Sequence, residues 1–269
     1  MQQKLTVVPQ GGLCNRLRLL FSIMEAEAFG ARNISIHWAK NAECRAWFEE
    51  LFETIDSDNL RIVHRKWWAV PRRRQNLWMP EIVRGMMGYG RQYVNYRPES
   101  VEAFRKVLQD RRRIYISSGF SLCDYSRQTM SRLKPLPDLQ RRISELRAGC
   151  GERAVGVHIR RTDNVVSMQH STPDGFRRAM RRVLQQHPGT RFFLATDDAA
   201  LKAELLSEMG DRIVTQQAEV RRDTVEGMRD AVVDLWCLAA TQRIIGSYWS
   251  SFTDIAAELG GRPPEIVMD

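Results

Sequence analysis

The run Ala154-Val155-Gly156-Val157-His158-Ile159, cut off by Arg160-Arg161-Thr162-Asp163, is the feature that most constrains the fold. Near-continuous apolar, partly β-branched residues suit a strand buried on both faces, and such strands belong to parallel sheets covered by helices. In an open α/β sheet, ligands bind beyond the carboxyl ends of the strands. The polar cluster falls at that place. Two adjacent guanidinium groups there point to an anion, most simply a phosphate or pyrophosphate gripped by forked N–H donors. The plainer reading is a strand end with solvated charges.

The rest of the chain repeats this alternation. Lys4 to Pro9 read as a strand, Gln10 to Asn15 as a tight turn and residues 16–29 as a helix with Leu17, Leu20, Phe21 and Met24 at apolar spacing. A strand over residues 33–38 and a short helix over residues 44–52 follow, the latter turning Trp47, Phe48, Leu51 and Phe52 inward. Residues 60–100 mix basic and aromatic side chains with Gly85, Gly88 and Gly90, and read as loops and short helices. Arg113 to Ser118 form another strand. Lys134-Pro135-Leu136-Pro137 marks the expected lobe boundary, giving lobes 1–136 and 137–269. In the second lobe, strand–loop–helix recurs three times, with helices announced by Thr172-Pro173, Asp197-Asp198 and Ser250-Ser251. The pattern predicts an α/β protein of two lobes with parallel sheets.

Composition narrows the class. The chain has 269 residues, 43% hydrophobic and 27% charged, and no apolar run nears the roughly 20 residues of a membrane span. The opening residues are too polar for a signal peptide and read as the first strand. Five scattered cysteines, without Cys-x-x-Cys spacing, predict neither a zinc site nor a disulfide framework and favour a cytoplasmic setting. A net charge of +9 implies an acidic partner: nucleic acid, anionic lipid or a phosphorylated substrate.

Other strand-to-helix junctions carry candidate chemistry. Gly11 and Gly12 let backbone approach a ligand at a helix N-terminus, although no Walker lysine or dinucleotide fingerprint follows. Ser250 and Ser251 offer hydroxyls to a phosphate, or one serine simply caps the helix. Asp234 sits in an apolar stretch, where it either accepts hydrogen bonds from a ligand or faces water on a polar stripe; spacing alone favours the latter. Asp197 and Asp198 are candidate carboxylates, or helix caps. The tract 65–74 has arginines beside tryptophans, which stack on bases or sugars, as in single-strand binders, or tuck into the lobe.

In this order, the segments resemble the GDP-fucose-dependent fucosyltransferase superfamily, which includes α1,2-, α1,6- and protein O-fucosyltransferases. Gly11-Gly12-Leu13-Cys14-Asn15-Arg16-Leu17 is similar to its N-terminal segment. His158-Ile159-Arg160-Arg161-Thr162-Asp163 matches the α1,6 pattern. Leu194-Ala195-Thr196-Asp197-Asp198 resembles the second motif, and Asp234 through Ser250-Ser251 the third.

The resemblance implies a GT-B type α/β fold, two Rossmann-like lobes facing a cleft. It also implies inverting transfer of fucose from GDP-fucose to a glycan hydroxyl, with no metal and no cofactor besides the donor. Arg160, with Arg161 beside it, would hold the β-phosphate and stabilise departing GDP. His158 and Asp234 would contact guanine, and Ser250 the diphosphate. Gly11, Gly12 and Asn15 would close over phosphate and fucose. The base glutamate of the α1,6 branch has no counterpart in Asn164-Val165-Val166-Ser167-Met168, which leaves Asp163, His170 and Asp174 as alternatives. The acceptor expected is an oligosaccharide on a lipid carrier, with the basic aromatic segment contacting an anionic cytoplasmic membrane face. The competing readings are a nucleic-acid binder, which the ordered motifs disfavour, and a GDP-sugar binder without turnover.

Overall fold

The computed structural model describes residues 4–64, 80–110, 112–162, 164–217 and 223–269. The tract 65–74 and Asp163 lie outside them. The chain divides into two compact units, Met1–Lys134 and Pro135–Asp269.

The first unit runs β1 (Lys4–Pro9), α1 (Leu13–Ala26), β2 (Ile34–Trp38), β3 (Leu60–His64), α2 (Glu81–Met86), β4 (Tyr89–Val94), α3 (Val101–Gln109), β5 (Arg113–Ser118) and α4 (Arg127–Ser131). Its sheet has the order β3-β2-β1-β5-β4, with every pairing parallel. The helix expected over residues 16–29 begins and ends earlier. Gly12 is already its N-cap, and Gly11 turns the chain at φ +76° to deliver it there. The helix expected over residues 44–52 is a single 3₁₀ turn, Phe48–Glu50, although Phe48, Leu51 and Phe52 are buried as expected. The described residues between 60 and 100 hold two strands rather than loops and helices alone. Both lie at sheet edges, where one flank lacks a partner strand and polar residues are tolerated.

The second unit runs α5 (Pro137–Cys150), β6 (Val155–Ile159), α6 (Val165–His170), α7 (Pro173–Gln186), β7 (Phe192–Thr196), α8 (Ala199–Met209), β8 (Ile213–Val214), α9 (Val225–Ala240), β9 (Arg243–Ser247), α10 (Ser251–Gly260) and β10 (Glu265–Val267). Its sheet, β10-β9-β6-β7-β8, is also all parallel. The α/β class with two Rossmann-like units is therefore the one expected.

Strand alternation on β6 positions the site. Val155, Val157 and Ile159 join Phe176, Met180, Leu194 and Leu205 in a buried core. Gly156 and His158 face the other way. A Cβ on Gly156 would meet Thr241 Oγ1 at 2.8 Å and Leu238 Cδ2 at 2.9 Å, so the glycine lets α9 settle onto the sheet. Beside His158 in register is Gly246 of β9, where a Cβ would sit 2.2 Å from Thr253 Cγ2. That gap lets α10 bring Thr253 across to His158. No helix among the described residues is long and apolar enough to cross a membrane.

Candidate functional site

Both sheets have a switch point, where strand order reverses; in open α/β sheets ligands bind at such points, beyond the carboxyl ends of the strands. In the second unit it lies between β6 and β9, because β7 and β8 extend one way and β9 and β10 the other. Arg160, Arg161, Ser250 and Ser251 belong to the chain leaving these two strands, and His158 is the penultimate residue of β6. The sequence had placed them at strand ends; the strand order brings those ends together.

The loop after β6 is tied on several sides. The Arg160 N–H donates to Ser247 Oγ at 2.9 Å, and Ser167 Oγ donates to the Arg160 carbonyl at 3.3 Å. Asp197, at the end of neighbouring β7, accepts from Arg161 N–H at 2.7 Å, Thr162 N–H at 3.2 Å and Thr162 Oγ1 at 2.7 Å. Its carboxylate is buried and lies 3.5 Å from Arg160 Nη1, whose side chain remains 22% exposed. Asp197 was read as a donor contact or a cap. Its oxygens accept from the arginine loop. Asp198 is the cap, accepting from the N–H groups of Ala200 and Leu201 at 3.0 Å each.

His158 is buried, its Nδ1 2.8 Å from Thr253 Oγ1 and its ring stacked on Phe252 at 4.7 Å. Burial, and then the nearby Arg160 charge, push its pKa down to about 3, so the imidazole is neutral. It was expected to touch guanine; this geometry ties it to the first turn of α10.

At that turn Ser250 is the N-cap residue and is buried, yet its side chain caps nothing. The N-cap side chain thus leaves the leading N–H groups of α10 alone, and Asp254 stands in that first turn. Just before it, Trp249 holds φ +53° while 72% exposed, an uncommon backbone for a bulky residue. Asn164 Nδ2 donates to its carbonyl at 2.8 Å and caps α6 with its oxygen. Neither residue was singled out from the sequence, although a tryptophan amid serines at a strand end is a visible signal.

Of the three base candidates, Asp163 lies outside the described residues. His170 ends α6 with its ring edge-on to Tyr248 at 5.0 Å. Asp174 is exposed and lies 3.2 Å from Arg177 in the first turn of α7, which accounts for it as a helix residue. Asp234 is half-buried, not solvated on a polar stripe, and accepts from Gln216 Nε2 at 2.6 Å. Desolvation raises its pKa to about 7. Among the described residues no cluster of His, Cys, Asp or Glu is arranged to hold a metal ion.

In the first unit the switch point lies between β1 and β5. Gly11 packs so tightly on Asn15 that a Cβ would meet Nδ2 at 2.8 Å. Gly119, after β5, approaches the Gln10 carbonyl, and Gln10 Nε2 donates to Ser117 Oγ at 2.8 Å. The turn is anchored by Arg16, which is fully buried: Nε donates to the Gly11 carbonyl at 2.8 Å, Nη1 to the Ala39 carbonyl at 2.5 Å and Nη2 to Asn41 Oδ1 at 2.9 Å. Gly12 caps α1 without a side chain, and no acidic residue occupies the first turn.

No protein-family profile and no curated protein matches the sequence. Solved structures do. The α1,6-fucosyltransferase NodZ co-crystallised with GDP is 18% identical, with a TM-score of 0.67 over 96% of this chain and 93% of that one. Arabidopsis thaliana FUT1 in complex with GDP, as a mutant, is 13% identical, with a TM-score of 0.63 over 99% of this chain and 70% of that one. POFUT1 in complex with GDP is 11% identical, with a TM-score of 0.54 over 98% of each chain. The matches run through both units, and the chain has the fold of these fucosyltransferases.

Proposed function

We propose that the protein transfers fucose from GDP-fucose to a glycan hydroxyl, with inversion at the anomeric carbon and without a metal. The observation that carries this reading is the second switch point. There Arg160 is held through both its N–H and its carbonyl, beside an α10 N-terminus whose N-cap serine keeps its side chain out of the cap. The fold shared with GDP-bound fucosyltransferases supports the same chemistry.

In the proposed reaction the acceptor oxygen bonds to the anomeric carbon as the bond from that carbon to the β-phosphate oxygen breaks. The electron pair leaves with GDP, and charge grows on the diphosphate. Fixed cations and N–H dipoles aimed there favour the transition state over the ground state. Arg160 supplies the charge at the β-phosphate, with Arg161 alongside. Ser250, Ser251 and the first N–H groups of α10 hold the diphosphate. Asp234 accepts from the guanine N–H edge. We assign Gly11, Gly12 and Asn15, at the first switch point, to sugar and phosphate contacts. The acceptor proton goes to a weak base, with His170 and Asp163 as the two candidates.

The acceptor we infer is a lipid-linked oligosaccharide reached at an anionic, cytoplasmic membrane face. Supporting this, α2 exposes Ile82 and Met86 at 78% and 83% and follows closely on the basic, tryptophan-containing tract of the sequence. The test is a thermal-shift panel of GDP, UDP, ADP, CMP and GDP-fucose, followed by release of GDP from GDP-fucose. A shift of several degrees with the guanine compounds alone is expected, since a ligand at a hundred times its Kd stabilises by about 2.7 kcal/mol. No shift with GDP or GDP-fucose overturns the proposal.

A further inference from the structure

The chemistry assigned so far gives no role to one buried amide on which several partly buried polar side chains converge. Gln216 lies two residues beyond β8 and is buried. Its Nε2 donates to Asp234 Oδ1 at 2.6 Å and to the Asp230 carbonyl at 2.9 Å. Its Oε1 accepts from Arg142 Nη2 of α5 at 2.5 Å, and its backbone carbonyl accepts from Lys202 of α8. Arg142 also pairs with the Asp230 carboxylate.

This arrangement fixes which way the amide points. A guanidinium only donates and a carbonyl only accepts. Reversing the amide would set Nε2 against Arg142 and Oε1 against both the Asp230 carbonyl and the Asp234 carboxylate. So the group meeting Asp234 is always a donor. A donor favours the ionised carboxylate, and being neutral it leaves the negative charge available to a ligand. A lysine there would neutralise that charge. Oδ1 is oriented by the contact, and among the described residues no hydrogen bond reaches Oδ2.

We propose that Gln216 is a positioning residue for nucleobase specificity, clamped by Arg142 so that the Asp234 carboxylate stays charged and aimed at the adjacent N1–H and N2–H donors of a guanine. The inference rests on the reading that Asp234 meets the nucleobase of the donor.

The charged and titratable groups around Asp234 are Lys202 on α8, Arg142 on α5, and Asp230 and Cys237 on α9. Burial raises the Asp234 pKa; Gln216, Lys202 and Arg142 pull it back, and Asp230 opposes them. The balance sits at about 7, so loss of one donor is felt near neutral pH.

The experiment uses the full chain with GDP and with inosine diphosphate, which lacks the 2-amino donor. Binding is measured by calorimetry from pH 5.5 to 8.5 for wild type, Gln216→Met and Asp234→Asn, and the Asp234 carboxyl is titrated by carbon-13 NMR in wild type and Gln216→Met. In wild type, GDP should bind roughly tenfold or more tighter than inosine diphosphate above pH 7, as befits a hydrogen bond to a charged group, and the two should converge below pH 6. Gln216→Met should move the Asp234 midpoint upward and reduce the GDP preference at pH 7.5, with recovery by pH 8.5. A merely structural role would not give recovery with pH. If Asp234→Asn abolishes the preference while Gln216→Met keeps the wild-type midpoint and preference, this inference alone is overturned. If Asp234→Asn keeps the preference, or wild type binds no GDP, the assignment of Asp234 to guanine falls as well.

Discussion

The Asp197 carboxylate accepts the Arg161 backbone N–H at 2.7 Å, reaching from the end of one strand to the loop that leaves its neighbour. The same carboxylate takes the Thr162 N–H and hydroxyl. Replacing it removes hydrogen bonds from partly buried donors to a charged group, each worth about 1.5–3 kcal/mol. Asp197→Ala should therefore lose roughly 2–4 kcal/mol in urea unfolding. Because the loop carries Arg160, kcat should fall together with stability. Lost stability with full turnover at a temperature where the variant is folded would reduce Asp197 to a purely structural tie.

Arg160 combines a fixed backbone with a side chain that is only partly buried, which suits a cation waiting for a charged ligand. Removing one donor that acts on developing transition-state charge costs on the order of 10²–10³ in kcat. Arg160→Ala should show that loss. Arg160→Lys should recover only part of it, since an ammonium lacks the planar fork. The measurement is steady-state GDP release, and an unaltered kcat in Arg160→Ala would remove the residue from the reaction.

Legibility in the sequence followed burial. The central strands β1, β5, β6, β7 and β9 are apolar and readable because both their faces are buried. Edge strands β3 and β4, Leu-Arg-Ile-Val-His and Tyr-Gly-Arg-Gln-Tyr-Val, carry polar residues that mimic loops. At the site, Arg160 and Ser250 were legible from strand-end position. Which of Asp197 and Asp198 caps α8 was not, because adjacent carboxylates share every local signal and only the neighbouring loop separates them. Nor could spacing join Gln216 to Arg142, 74 residues away, or reveal that Asp234 is desolvated.

His158 gives the fold an acid limb. Its pKa is held at about 3 in the folded protein against 6.5 for the free side chain. Below pH 6.5 the unfolded chain takes up a proton that the folded chain refuses, so stability is fully present above 6.5 and declines as pH falls toward 3. At about 1.4 kcal/mol per tenfold in proton concentration, this amounts to roughly 2 kcal/mol between pH 7.5 and 5. His158→Gln should flatten that limb in denaturant titrations at the two pH values. An equally steep limb in the variant would assign it to another group.

Arg16 ties the glycine turn of the first unit to β2 and to the loop after it. Its side chain is fully buried, and its three bonds reach the Gly11 carbonyl, the Ala39 carbonyl and Asn41. An apolar replacement leaves these acceptors unmet, and a lysine has no planar fork to serve all three. Arg16→Met should cost about 3–5 kcal/mol, since each acceptor left unmet costs about 1–3 kcal/mol. Arg16→Lys should fold while its Gly11 and Gly12 amides exchange hydrogen faster than in wild type. Wild-type exchange in Arg16→Lys would show that the turn holds its shape without the fork.

Asp234 is expected to trade stability for binding. Burial raises its pKa from 3.8 to about 7, so the folded chain holds a proton that the unfolded chain has released. The sign is opposite to that of His158: stability is greatest at low pH, falls between about 4 and 7 and is level above. The full penalty is of the order of 4 kcal/mol at about 1.4 kcal/mol per tenfold. Asp234→Asn removes the ionisation, and its amide oxygen can still accept from Gln216. The variant should melt several degrees above wild type at pH 8, where the wild-type carboxylate is charged, and within a degree or two of it at pH 4. Its GDP-induced stabilisation should be smaller than that of wild type at pH 8 and match it at pH 4, where the wild-type carboxyl is protonated. A variant less stable than wild type at pH 8 would mean that the carboxylate contributes more through its hydrogen bonds than it costs through burial.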